Sequence, residues 1–135
     1  MAMKKHIVCI DDDPQVLTTI RLVLEHEGFQ VTVASGGRQG LEAIRQLKPD
    51  LILLDLMMPE MDGWEVYQQV RIDDALKHIP VVIFTAKGGT IDRSIGLQIA
   101  KVDAYLTKPL SPQVLVRTIR HVLEAKTDKA ADSGH

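Results

Sequence analysis

A single cysteine in 135 residues cannot close an internal disulfide, so no covalent staple holds this chain together. Cys9 lies inside the apolar run Ile7-Val8-Cys9-Ile10, where a buried core thiol is expected. Charge of one sign is not in excess either: the net charge is −2, which leaves no basic footprint for nucleic acid. The apolar runs are far too short to span a bilayer. Lys4 and Lys5 precede only four apolar residues before three aspartates, so no signal peptide is expected, and the reading is a cytoplasmic protein with no membrane partner. His6, His26, His78, His121 and His135 show no metal-ligand spacing and read as surface or packing residues. No repeat is visible beyond a strand–helix alternation.

What is present is an ordinary globular mixture, 45% hydrophobic and 25% charged, of a length that suggests one domain. A chain of this size buries roughly two-thirds of its surface unaided. Residues 1–126 are expected to form the domain. The small, polar residues 127–135 are expected to be a disordered tail or linker stub.

Strands are expected near 6–10, 29–34, 50–55, 79–85 and 104–107, and helices near 14–27, 37–48, 63–71, 90–101 and 112–125. The first helix carries Val16, Leu17, Ile20, Val23 and Leu24 at helical spacing, with Asp13 as cap, Pro14 in the first turn and Gly28 at the stop. The third starts at Asp62 with Glu65 three residues on, and Trp64 should be its partly buried anchor. In the helix near 90–101, Ile91, Ile95 and Ile99 make a sheet-facing stripe that Leu97 falls outside. Alternation of this kind implies a parallel sheet with helices on both faces. The runs at 7–10, 51–54 and 81–84 are continuously apolar, as central strands are, whereas the second run alternates and the fifth is short. The fold class is therefore α/β, a flavodoxin-like doubly wound (βα)5 sandwich with strand order 2-1-3-4-5. Its ligand crevice would lie beyond the carboxyl ends of strands 1 and 3.

Reactive side chains follow apolar runs at that edge: Asp11, Asp12 and Asp13 after Ile7–Ile10, Asp55 after Leu51–Leu54, Thr85 after Val81–Phe84 and Lys108 after Tyr105-Leu106. Carboxylates brought that close repel and need a hard divalent cation. Asp12 and Asp55 can each offer it an oxygen, with Asp11 acting directly or through water. A metal, a carboxylate, a hydroxyl and an ammonium around one point suit acceptance of a phosphoryl group. Asp55, at the end of a central strand, is the best nucleophile. Thr85 and Lys108 can bind phosphoryl oxygens as charge builds.

Four motifs in order, Ile7 to Pro14, Asp50 to Gly63, Pro80 to Ala86 and Tyr105 to Pro109, resemble the receiver domain of bacterial two-component response regulators over about residues 5–125. The resemblance implies Asp55 as phosphoacceptor and Asp11 and Asp12 as the acidic pair. It also implies the Met57 main-chain carbonyl as a further ligand of Mg2+ (or another divalent cation such as Mn2+), Thr85 as switch hydroxyl, Tyr105 as switch aromatic, and a cis bond from Lys108 to Pro109. Such a protein catalyses only its own phosphorylation and dephosphorylation. The implied partners are a sensor histidine kinase or phosphotransfer protein as donor, and a downstream protein target or output domain. A homodimer could form through the face of the helix near 90–101, the fifth strand and the last helix, with Leu97, Tyr105, Arg117 and Arg120 on it. Direct nucleic-acid binding by the domain is not expected. Lys101-Val102 and Leu110 depart from the usual pattern. Met57 and Lys87, at positions that tune phosphoryl lifetime in the family, are no obvious water-positioning groups, so slow self-dephosphorylation is expected.

Each residue has a plainer role to set against this. Asp13 and Asp62 suit helix caps, Asp92 a solvated surface, and Thr85 or Lys108 alone would mean little. Among other functions, an aspartate-nucleophile phosphohydrolase would need a longer chain and a later acidic pair. An FMN protein would need a hydroxyl- and glycine-rich loop where three aspartates stand. A receiver that has lost phosphorylation and acts as a binding module would not need Asp11, Asp12, Asp55, Thr85 and Lys108 together.

Overall fold

Successive side chains of a strand point to opposite faces, and in the three central runs both faces are apolar. Ile7 and Cys9 therefore go to one side of the sheet and Val8 and Ile10 to the other, all four buried. The computed structural model describes residues 4–86 and 101–133, with side chains through residue 126. In chain order its elements are β1 (His6–Ile10), α1 (Pro14–His26), β2 (Gln30–Ala34), α2 (Gly37–Leu47), β3 (Leu51–Leu54), α3 (Gly63–Ile72), β4 (Val81–Ala86), β5 (Ala104–Lys108) and α4 (Pro112–Ser133). The helix expected near 90–101, with Leu97 and the loop residue Lys87, lies outside the described residues.

The five strands form one parallel sheet in the order β2-β1-β3-β4-β5, the flavodoxin-like order. One layer buries Val8, Ile10, Ile52, Leu54, Val81 and Ile83 under Leu41 and Ile44 of α2 and Val66, Tyr67 and Val70 of α3. The other buries Ile7, Cys9, Leu51, Leu53, Val82 and Phe84 under Leu17, Ile20 and Leu24 of α1 and Leu115, Ile119 and Val122 of α4. Each such side chain stabilises the fold by about 1.5–3 kcal/mol relative to exposure. Gly40 lets α2 lie close on β1, since a Cβ there would collide with the Ile10 side chain.

Helix ends follow the expected chemistry. The Gln15 N–H donates to Asp13 Oδ1 at 2.9 Å, and the Glu65 N–H donates to Asp62 Oδ1 at 3.0 Å. Trp64 is half-buried and stands edge-on to Tyr67, with ring centroids 5.8 Å apart. α4 extends to Ser133. Adding residues to a helix already nucleated on the core costs far less than starting one. Among the described residues no helix is long and apolar enough to cross a membrane.

The end of the sheet opposite the carboxylates is tied by Arg71, which has no counterpart in the sequence reading. Its Nη1 donates to the carbonyls of Lys77 at 2.7 Å and Ile79 at 3.2 Å, its Nη2 lies 3.5 Å from Asp103 Oδ2, and its guanidinium stacks on Tyr67. Asp103 Oδ2 in turn accepts the Val81 N–H at 2.8 Å. Arg71→Ala removes several charge-assisted bonds and the stacking together, so a loss of about 1–2 kcal/mol is expected in urea unfolding.

Candidate functional site

The parallel pairing places the candidate residues. Ile10 is in register with Leu54, so Asp11 and Asp55, one residue further on, leave neighbouring central strands side by side. Their backbones stay anchored, the Asp11 N–H to Ala34 O at 3.2 Å and the Asp55 N–H to Ile10 O at 3.0 Å. Two strands away, Ala86 is in register with Lys108, which brings the lysine to the same edge.

Asp11 and Asp55 are 1% and 4% exposed, and Asp12 is exposed. One carboxylate oxygen from each of the three lies within 4.8 Å of the others. Lys108 Nζ is 2.8 Å from Asp11 Oδ2 and 3.7 Å from Asp55 Oδ2. Asp11 Oδ1 accepts the Asp13 N–H at 2.9 Å, and Asp55 Oδ1 accepts the Met57 N–H at 3.3 Å. Burial pushes the Asp55 carboxyl above the ordinary range. The Asp11 and Asp12 charges push the same way, against the Lys108 ammonium and the Met57 N–H. Burial pulls Lys108 down, but its hydrogen bond to Asp11 and the three carboxylates outweigh that and hold it above the ordinary lysine value.

Three carboxylates thus face one ammonium, and a surplus of negative charge is left where the sheet gives little water to screen it. This donor set fits a hard, oxygen-seeking divalent cation: oxygens only, within one ion's reach, with one exposed carboxylate leaving an open side. A cleft of about 490 Å³ opens beside Asp12, between Gly36 and Arg38 at the start of α2 and the turn at Pro59 and Met61.

Thr85 is 3% exposed, and its Oγ1 has no hydrogen-bond partner among the described residues. A buried hydroxyl left unpaired costs about 1–3 kcal/mol, and a donor so placed is ready for an acceptor that arrives. Tyr105 is in register with Ile83 and half-buried against the core layer of α2 and α3. The Met57 side chain is 59% exposed. The Lys108–Pro109 peptide bond is cis. Asp13 is a cap and its exposed side chain stands outside the group of three carboxylates.

The loop after Asp55 shows two features that residue types alone did not reveal. Gly63 N–H donates to Leu56 O at 3.0 Å, and a Cβ on Gly63 would collide with the Asp55 carbonyl, so α3 begins directly against the Asp55 backbone. Glu60 has φ 69°, in a tight turn where the Met61 N–H donates to Pro59 O at 2.8 Å. That left-handed conformation costs a non-glycine residue about 1 kcal/mol. Glu60→Gly, which has no Cβ to strain at positive φ, should raise stability by up to about 0.5–1 kcal/mol in urea unfolding.

The chain matches the response regulator receiver domain over residues 7–120. It belongs to that family. The receiver domain is 40% identical over 130 residues to the DNA-binding response regulator MtrA of Mycolicibacterium smegmatis, a match covering 96% of this chain and 55% of that protein. It is 37% identical over 127 residues to the transcriptional regulatory protein AfsQ1 of Streptomyces coelicolor, covering 94% and 55%. A solved putative response regulator from Chloroflexus aurantiacus superposes with TM-score 0.82 at 30% identity, covering 90% of this chain and 99% of that one. A CheY-like receiver domain protein from Methanospirillum hungatei gives TM-score 0.85 at 27% identity, covering 94% and 99%.

These relatives correct the partner reading. It kept nucleic acid out and described a kinase or phosphotransfer protein, a protein target or output domain, and a homodimer. The relatives are named as DNA-binding response regulators, and this receiver domain spans about half their length. A net charge summed over half such a protein describes that half alone, so it could not exclude nucleic acid from the output of a whole one.

Proposed function

We propose that this receiver domain accepts a phosphoryl group on Asp55 in a reaction that depends on a divalent cation. The observation that carries the reading is the buried Asp55 carboxylate, with Lys108 Nζ at 3.7 Å and two further carboxylates in the same group. An Asp55 oxygen forms a bond to phosphorus while the bond from phosphorus to the donor's leaving group breaks, and the leaving group keeps the electron pair. The product is an acyl phosphate on Asp55. Water later attacks it, returning the carboxylate and releasing inorganic phosphate. Asp11, Asp12 and Asp55, with the Met57 carbonyl that the family resemblance implies, would hold Mg2+ or Mn2+. When bound, the metal supplies positive charge that offsets the carboxylates' repulsion of an anionic donor. The Lys108 ammonium and the Thr85 hydroxyl donate to phosphoryl oxygens as charge accumulates on them.

Switching follows from the same residues. Thr85 Oγ1, without a partner among the described residues, would gain one in the phosphoryl group, which favours the arrangement that brings it there. Tyr105, in β5 beside it, then moves inward, and the surface around β5 and the start of α4 changes shape.

The test is intact mass after brief incubation with acetyl phosphate, with and without Mg2+. A gain of one phosphoryl group that needs the metal supports the reading. No gain by folded protein would contradict it and favour a phosphorylation-independent binding module.

A further inference from the structure

β4 and β5 do more than deliver Lys108 to the site. In parallel pairing Lys108 is opposite Ala86, and Phe84 lies two residues before Ala86 on the same face of the sheet. The lysine side chain therefore crosses the Phe84 ring, and Nζ lies 5.4 Å from the ring centroid. Phe84 is 3% exposed and held in the layer that contains Leu115 and Ile119.

An ammonium has three protons to place. One goes to Asp11 Oδ2 at 2.8 Å, and a second faces Asp55 Oδ2 at 3.7 Å. The aromatic face, with its negative quadrupole, is a seat for the cation that carries no charge of its own. We propose that Phe84 is a positioning residue whose ring seats the Lys108 ammonium against Asp11 and facing Asp55, where it meets the incoming phosphoryl group. This rests on the phosphoacceptor reading of Asp55. The physical case is a competition with solvent: an ammonium held by carboxylates alone is free to swing to water, since Lys108 is 22% exposed. The ring resists that swing without adding a negative charge that would repel the donor.

The experiment follows phosphoryl uptake from acetyl phosphate with saturating Mg2+ in wild type, Phe84→Leu, Phe84→Tyr and Ile119→Val. Leu keeps the apolar contact and loses the quadrupole. Tyr keeps the ring face. Ile119→Val, in the same buried layer, shows what a small loss of core packing does by itself. The expected result is a maximal uptake rate about three- to tenfold lower in Phe84→Leu, with half-saturation by donor changed less than about twofold, while Phe84→Tyr and Ile119→Val stay near wild type. If Phe84→Leu does not fold, Phe84→Met, unbranched and more adaptable in a packed layer, takes its place. A folded Phe84→Leu with wild-type rate would overturn the proposal and leave the phosphoacceptor reading standing. Equal slowing in Ile119→Val would also overturn it, by assigning the effect to packing. Wild type that takes up no phosphoryl group would overturn the phosphoacceptor reading itself, and this proposal with it.

Discussion

Asp55→Asn should abolish phosphoryl uptake and at the same time make the metal-free protein more stable. The two effects have one origin. Asp55 is the nucleophile, and an amide oxygen does not form the acyl phosphate. Asp55 is also a buried anion grouped with Asp11 and Asp12. Two like charges about 4 Å apart at an effective dielectric near 20 repel by about 4 kcal/mol. Lys108 gives back part of that by attraction, so a net gain of about 1–2 kcal/mol is expected from the substitution. The sign with pH is definite. The Asp55 carboxyl is raised above its ordinary value of 3.8, so between that value and its folded value the native state holds more protons than the unfolded state. Wild-type stability falls as pH rises through that window. The advantage of Asp55→Asn is therefore largest near neutral pH and shrinks on acidification. Urea unfolding of both proteins in chelator at several pH values checks it.

Lys108→Met should act in the opposite direction. It keeps an apolar stem over Phe84 and removes the only cationic side chain within 4 Å of Asp11 and Asp55 among the described residues. Breaking a buried charge pair from one side costs about 3–5 kcal/mol. The 22% exposure of Lys108 puts the expectation near the low end, about 3 kcal/mol in metal-free protein at neutral pH. Its folded ammonium value is raised, so its contribution is fully present below the ordinary lysine value of 10.5 and is lost as pH rises through the folded one. In acid the loss also shrinks, because the Asp55 carboxylate it balances takes up a proton. Mg2+ should restore much of the lost stability, since it stabilises a state it binds by an amount that grows with the logarithm of its concentration. Phosphoryl uptake should still fall by about 10²–10³-fold, the usual consequence of losing one donor to a developing oxyanion.

Most of the architecture could be read along the chain because its cues are local. The apolar runs of β1, β3 and β4 mark strands buried on both faces, and that places them centrally before any contact is known. The Asp13-Pro14 and Asp62 starts are written in the residues that cap them. The meeting of Asp11, Asp55 and Lys108 has a related reason: in a parallel sheet the carboxyl ends of the strands share one edge. What stayed hidden depends on pairs far apart in sequence or on backbone shape. Nothing in a glutamate announces the left-handed turn at Glu60. The collision that keeps Gly63 a glycine exists only once α3 folds back on the Asp55 carbonyl. Arg71 looked like any exposed helix residue until its partners at Lys77, Ile79 and Asp103 came together. Phe84 read as one more apolar residue of β4, and its place beneath Lys108 needs the β4–β5 register. The nucleic-acid exclusion failed on other grounds, because a charge sum over this domain is silent about the longer proteins it resembles.

The most direct measurement is the chemical location of the phosphoryl group. Protein treated with acetyl phosphate and Mg2+ is reduced with borohydride, which converts an aspartyl phosphate to homoserine, and is then digested and its peptides mapped by mass. Homoserine at position 55, absent without donor and absent without metal, is the predicted result. Phosphoryl uptake with homoserine at Asp11, Asp12 or another carboxylate, and intact aspartate at 55, would contradict the account.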